Sequence, residues 1–398
     1  MSEQVVTNPQ ASPSGKIARL HFVDWLRVIA IMVVFLFHAV HPFGGTDWHI
    51  KNLEESEVLT ILLYFLAIWG MPFFFLIAGS ASWFALRRRS ASQYVSERFK
   101  RLVIPFIVGF ILFIPITMFL EWKLDTIRGV QQDSYLTWLG TFRIDFSPWM
   151  FGWGQHLWFL GFLFCFAIFT LPLFLWMKGE KGKKFVFWMA RICEHRGGIL
   201  LFIFPLLVIQ LGLRPFYPAE HDWAEFIVQM AFFVLGYILF SDQRFLAAVR
   251  RDWWLTLGVG ILSLITLLGL YLSDLPVETW YQTPGSPGFF LVYIFITVIG
   301  LSWCLFMLYV GMRFLDFTND WLNYWREAAL PFFVIHQPVI IVIAFFVVQW
   351  ELAWPIKMLI VVASSFLVCV GLYELIIRRI RPLRLVFGMP AQTRAQPV

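Results

Sequence analysis

The stretch Asp24-Trp25-Leu26-Arg27-Val28-Ile29-Ala30-Ile31-Met32-Val33-Val34-Phe35-Leu36-Phe37-His38 decides the fold, because every residue between Arg27 and His38 is apolar. It lies inside a longer run, 21–42, with the length to cross the ~30 Å hydrocarbon core of a bilayer. At about 100° per residue, the step from Arg27 to His38 turns a helix by about 1100°, within about 20° of three full turns, and rises about 16 Å. Both polar groups therefore share one stripe. An ionisable side chain at membrane depth normally faces a protein interior or a wet cavity and marks a functional path. The bland alternatives stay open for each residue alone: Arg27 snorkelling to the headgroups, and His38 satisfied by a neighbouring helix.

The rest of the chain agrees with a membrane reading. Sixty per cent of the residues are apolar and only 14% charged, with a mean hydropathy of +0.73, far from the roughly 25% charged content of soluble domains. Runs long enough to cross a bilayer occur at 21–42, 58–84, 102–121, 157–177, 199–213, 223–240, 253–272, 288–311, 329–349 and 356–377. The expected fold class is all-α, a polytopic bundle of about ten transmembrane helices. The run at 199–213 is the least secure, being short and carrying Gln210 with Arg214 at its end. The first run is longer than a signal-peptide core, contains an arginine and precedes no cleavage pattern, so it reads as a retained helix.

The net charge of +6 does not point to nucleic acid, because the basic residues cluster at the ends of runs. With the N-terminus placed in the cytoplasm, 24 of the 31 basic residues fall on the inner side and six on the outer. The positive-inside bias thus puts both ends in the cytoplasm. The expected organisation is a disordered segment 1–19, a transmembrane domain 20–388 and a cytoplasmic tail 389–398. The longest extramembrane segment, Glu121 to Gln155, mixes charges with tryptophans and reads as a cover on the outer side. Cys165, Cys193, Cys304 and Cys369 have no close spacing, so neither a disulfide framework nor a zinc site is expected.

Among the other histidines, His41, His156 and His336 are placed to join His38. His41 lies one turn further along, His156 opens the fourth run in Gln155-His156-Leu157-Trp158, and His336 precedes a helix-bending proline in His336-Gln337-Pro338. His21, His49, His195 and His221 read as interfacial. No HExxH or paired carboxylates accompany His38 and His41, so no metal is expected. Arg98 and Arg101, three apart, share one face of a helix, where both can grip one polyphosphate; charge bias alone is the plainer account. Glu374 stands four residues before Arg378, the spacing of a helix-end ion pair. No nucleophile elbow, P-loop or dinucleotide fingerprint is present.

Taken together these residues resemble the membrane-bound acyltransferase-3 superfamily. Its first-span pattern of an arginine, ten residues and a histidine is met by Arg27 and His38. Its RxxR followed by I-x-P is similar to Arg98-Phe99-Lys100-Arg101-Leu102-Val103-Ile104-Pro105, and its second-span FFVxSG element to Phe73-Phe74-Phe75-Leu76-Ile77-Ala78-Gly79-Ser80, with Ala78 where serine is usual. The segments at His156-Leu157-Trp158-Phe159-Leu160, His336-Gln337-Pro338 and 373–388 look most like the glucan biosynthesis protein C branch, whose members succinylate periplasmic glucans.

The resemblance implies an acyl-CoA co-substrate, succinyl-CoA or acetyl-CoA, arriving on the cytoplasmic side of a bacterial inner membrane, and a carbohydrate or glucan acceptor on the far side. It makes His38, Arg27, Asp24, His156, His336 and Glu374 the candidate catalytic set, and Arg27, Arg98 and Arg101 the candidate donor-binding set. The rival class is a secondary transporter or exporter, with the buried arginine and histidine as substrate and proton sites. Transporters often carry internal repeats and paired interrupted helices, and this sequence displays neither.

Overall fold

The computed structural model describes residues 20–140 and 148–389. The expected disordered segment 1–19, nearly all of the tail 389–398 and part of the outer cover, 141–147, lie outside the described residues. The helices in chain order are α1 (His21–Val40), α2 (Glu57–Leu86), α3 (Ala91–Arg98), α4 (Ile104–Ile127), α5 (Tyr135–Leu139), α6 (Trp158–Phe169), α7 (Leu171–Lys178), α8 (Glu180–Cys193), α9 (Ile203–Leu213), α10 (Trp223–Ser241), α11 (Gln243–Arg251), α12 (Trp253–Tyr271), α13 (Val277–Gln282), α14 (Pro287–Phe314), α15 (Asp320–Val347), α16 (Trp354–Leu372) and α17 (Arg381–Val386). No strand occurs among the described residues. Large apolar side chains such as Ile111, Leu262, Ile265 and Leu359 are exposed on the outside of the bundle, as they are where lipid rather than water is the solvent.

Nine helices among the described residues are long and apolar enough to cross a membrane, and the tenth expected crossing is the shorter apolar helix Gly198–Leu213. Its two ends are nevertheless tied to opposite faces of the bundle. The Gly197 N–H donates to Asp252 Oδ2 (3.0 Å) beside the start of α12, and at the other end Arg214 sits over the Tyr293 ring near the start of α14. Since α12 and α14 run in opposite directions, the short helix links the two faces. Lys178 on the Leu86 carbonyl, Arg251 on the carbonyls of Cys193 and His195, Arg326 beside Asp24 and Arg384 on Glu327 bring the basic loops together. We call this the basic face; the first described helix begins there and the last lies against it.

Two local devices shape the interior. The α2–α10 crossing is held by glycines, since a Cβ on Gly79 would stand 1.8 Å from the Phe233 carbonyl oxygen and one on Gly236 the same distance from that of Leu76. Small residues let membrane helices approach this closely. The second device is α15, which contains Pro331 and Pro338. A proline inside a helix removes the hydrogen bond to the carbonyl four residues back, so Pro338 frees the Val334 carbonyl at membrane depth, where an unpaired carbonyl costs about 1–3 kcal/mol.

Candidate functional site

Pro338 explains why three histidines meet. His156 Nε2 reaches the freed Val334 carbonyl at 3.1 Å, and His336 Nδ1 bonds the carbonyl of Phe333 one turn below it. His336 Nε2 then lies 3.0 Å from His38 Nδ1. The ring centroids are 4.9 Å apart for His156 and His336, 5.1 Å for His38 and His336, and 6.5 Å for His38 and His156. His156 and His336 are buried, whereas His38 is half-buried.

Hydrogen-bond logic fixes the tautomers. A carbonyl only accepts, so His336 carries its proton on Nδ1 and offers a lone pair at Nε2. His38 must then donate from Nδ1, which leaves its own Nε2 as a lone pair available for a proton. His156 likewise donates from Nε2 to Val334, and its Nδ1 is a buried acceptor with no partner among the described residues. The trio therefore presents two lone-pair nitrogens, while the N–H groups of His156 and His336 are directed by backbone carbonyls and that of His38 by His336. No group of three or more His, Cys, Asp or Glu among the described residues is arranged to hold a metal ion.

His156 is delivered by a strained turn. Gln155 has φ 48° and ψ −133°, a conformation that glycine adopts readily and other residues hold at a cost of about 1–3 kcal/mol. Its Oε1 accepts from Thr117 Oγ1 at 3.0 Å on α4. On the open side Trp48, from the loop after α1, is stacked on His41 at 5.5 Å and stands 6.4 Å from His38. That loop is pinned by Lys357, which is buried and donates to Asn52 Oδ1 (3.2 Å) and the Val348 carbonyl (3.1 Å), and by Arg128 on the Lys51 carbonyl (2.6 Å). His41 is also buried and bonds Thr46 Oγ1 at 2.8 Å, so it shapes the cover rather than joining the trio. Sequence reasoning missed Trp48 and counted Lys357 as an ordinary outer charge.

The remaining expected residues lie at the basic face. Arg27 Nη1 is 3.9 Å from Asp24 Oδ1, and Arg326 Nε is 3.5 Å from Asp24 Oδ2. Between Arg27 and His38 the stripe is filled by Ile31 and Phe35, both buried, with Phe35 edge-on to Phe332 and Phe366. Arg98 stands just before a π-helical turn over Phe99–Val103 and Arg101 within it, and the wider i→i+5 winding turns them further from one another than the α-helical spacing of three would. Arg98 instead donates to Ser82 Oγ (3.1 Å) and lies over Tyr94, while Arg101 turns to Glu97 (3.6 Å). Glu374 is ion-paired with Arg378 at 2.8 Å. Arg378 lies over Tyr324, about 18 Å along α15 from His336, so Glu374 is not part of the trio. Ser80 bonds back to the Ile77 carbonyl at 2.7 Å within its own helix. Gly79 beside it makes the close α2–α10 approach.

A bundle of this kind, with a hydrogen-bonded imidazole set at depth and a guanidinium on the same helix, is that of a membrane acyltransferase. The chain belongs to the acyltransferase domain family Acyl_transf_3, which it matches over residues 20–374, a stretch that contains the whole site. It is similar to proteins named Glucans biosynthesis protein C from Salmonella agona, Salmonella dublin and Salmonella enteritidis, each 23% identical over 337 residues that cover 81% of this chain and 82% of the relative. No solved structure matches it.

Proposed function

We propose that the protein transfers an acyl group from acyl-CoA, bound from a cytoplasmic basic face, to a hydroxyl of a carbohydrate on the far side of a bacterial inner membrane, with succinylation of a periplasmic glucan the leading case. The observation that carries this reading is the relay from His38 Nδ1 to His336 Nε2 and from His336 Nδ1 to the Phe333 carbonyl, because it leaves His38 Nε2 in the protonation state of a general base.

In the reaction so assigned, His38 Nε2 takes the proton of the acceptor hydroxyl as its oxygen attacks the thioester carbonyl. A C–O bond forms, the C–S bond breaks, and the proton passes from His38 to the departing sulfur. His336 accepts from His38 throughout, holding the ring orientation and the useful tautomer as the acid does in hydrolase triads. His156 Nδ1 offers a second acceptor for a substrate hydroxyl. The membership of an acyltransferase family weighs against the transporter alternative.

The test uses purified protein in sealed vesicles with succinyl-CoA or acetyl-CoA supplied at the basic face and periplasmic glucan on the other. Acylation of glucan across the membrane, with no ion gradient, is expected. Release of free CoA without acylated glucan would remove the glucan, and neither product from either donor would remove the acyl-CoA reading.

A further inference from the structure

Among the described residues, two that are not glycine hold a positive φ: Gln155 at 48° and His221 at 57°. Backbone of this kind persists only where the surrounding structure enforces it, and it gathers where something is being positioned. The two residues are far apart in the chain but meet in space. Gln155 makes the turn that aims His156. His221 lies in the loop between α9 and α10, at the end of the bundle away from the basic face, and its ring is laid on that same turn. It stands 4.3 Å from the Trp158 ring, tilted by 33°, and 6.2 Å from that of Phe162. A Cβ on Gly152 would be 3.0 Å from His221 Cδ2, so the chain just before Gln155 passes directly against the imidazole.

The other side of His221 is tied to α10. Glu225 Oε2 accepts the His221 backbone N–H at 2.7 Å and lies 3.6 Å from His221 Nδ1, so one residue turns both its amide and its ring toward a single carboxylate. The two side chains are only 22% and 16% exposed, which leaves the pair little screened by salt. A protonated imidazole so placed is attracted twice, to the carboxylate and to the indole face as a cation–π contact; the neutral ring loses both charge attractions. Of the other charged groups around it, Glu220 adds to the attraction from the same loop, and Asp222 is turned to the Trp223 N–H at 2.7 Å. Arg214, at the end of α9, lies over Tyr293 and shares the field of Glu225. The contacts from the turn and α6, made by Gly152, Trp158 and Phe162, carry no charge.

We propose that His221, held by Glu225, is a positioning residue: as an imidazolium it braces the turn that delivers His156 to the trio. This rests on the acyl-transfer reading, in which His156 receives a substrate hydroxyl, and it makes transfer sensitive to pH at a place well away from the reacting atoms. Burial acts to lower the His221 pKa, the Glu225 carboxylate and then Glu220 act to raise it, and the net direction is upward. A group whose pKa is raised on folding contributes fully below its unfolded pKa and loses that contribution as pH rises through the folded one. The brace is therefore complete in acid and released on the alkaline side.

Two measurements on the full-length protein in nanodiscs test this: transfer from succinyl-CoA to periplasmic glucan across pH, and hydrogen–deuterium exchange of the segment 148–158, each variant against wild type at the same pH. His221→Asn keeps a residue that tolerates positive φ and removes the charge; Glu225→Gln keeps the carboxylate's shape and removes its charge. Wild-type kcat/KM for glucan should fall about tenfold along an alkaline limb, the low end of what partners that orient a metal-bound imidazole contribute, with donor KM unaltered. His38, as general base, shapes the acid limb, so the two are read separately. His221→Asn should lose the alkaline limb and stay at its lower level at every pH, and Glu225→Gln should move the limb to lower pH. In both, 148–158 should exchange about tenfold faster than in wild type below the limb, with other segments unaltered, as for a local opening. Variants that lose activity without moving the limb, or that leave exchange at 148–158 unaltered, would overturn the brace while acyl transfer stands. Exchange that follows His221 and Glu225 in a wild-type protein that acylates no glucan would support the brace and remove the glucan reading instead.

Discussion

The two ends of the α1–α15 seam are built by different physics. At the imidazole end, position is dictated by backbone: Pro338 frees a carbonyl, His156 takes it, His336 takes the one before, and His38 is aligned by what is left. At the guanidinium end, position is dictated by charge, with Asp24 between Arg27 and Arg326 at ion-pair distances. Directional hydrogen bonds fix a tautomer, which proton transfer requires; a shared charge fixes an approximate distance without demanding one geometry. The first end should be sensitive to backbone changes and indifferent to salt, the second the reverse.

The largest effect expected is at the nitrogen left free by the relay. His38→Ala should cut acyl transfer by about 10²–10⁴-fold, the usual contribution of a general base, with CoA binding unchanged because the cations lie about 16 Å away. Parallel turnover and calorimetry check both halves. Turnover within about twofold of wild type would break the comparison at its reactive end.

His336→Phe comes next. It keeps the ring's bulk but removes the acceptor that holds His38 Nδ1–H, and partners that orient a metal-bound imidazole are worth about ten- to hundredfold. The loss should fall on kcat with donor KM unaltered, and His336→Gln, whose side-chain oxygen can accept from His38, should recover part of it. Equal losses in both variants would mean that His336 only packs. At the other end, Arg27→Lys should raise donor KM about tenfold, since an ammonium cannot make the two-point contact of a guanidinium, and raising salt should narrow the gap. A KM that is unchanged and salt-independent would return Arg27 to a headgroup-seeking role.

The unequal legibility of the sequence follows the same division. Spans, the shared stripe of Arg27 and His38, and the company of His156 and His336 were readable, because apolar run length, helical periodicity and a proline are local signals. The partner of the freed carbonyl was not: His156 and Val334 are 178 residues apart, and only packing joins them. The directions of Arg98 and Arg101 were not legible, because their spacing of three was converted to a shared face with α-helical geometry and a π turn begins at Phe99. Arg326 passed as one of many basic residues at a helix end, since nothing in its own neighbourhood records that Asp24 lies across from it. Trp48 and Lys357 were hidden for a related reason, their roles being set by a loop folded over α1.

The smallest expected effect tests the backbone at the imidazole end. Gln155 holds a positive φ of 48°, and the turn it makes aims His156. In Gln155→Gly three terms compete: relief of about 1–3 kcal/mol of strain, loss of the Thr117 contact worth about 0.5–1.5 kcal/mol, and a glycine penalty of about 0.5–1 kcal/mol from the freer unfolded chain. They nearly cancel, so thermal unfolding in detergent should stay within about 1 kcal/mol of wild type and transfer should persist, because the turn is conserved. Gln155→Val has no such relief: a β-branched residue at this φ is a true outlier, and the variant should be less stable and less active together. If glycine there lost transfer while melting normally, the Gln155 side chain rather than its backbone would be what places His156, and the contrast between a backbone-built and a charge-built end would have to be redrawn.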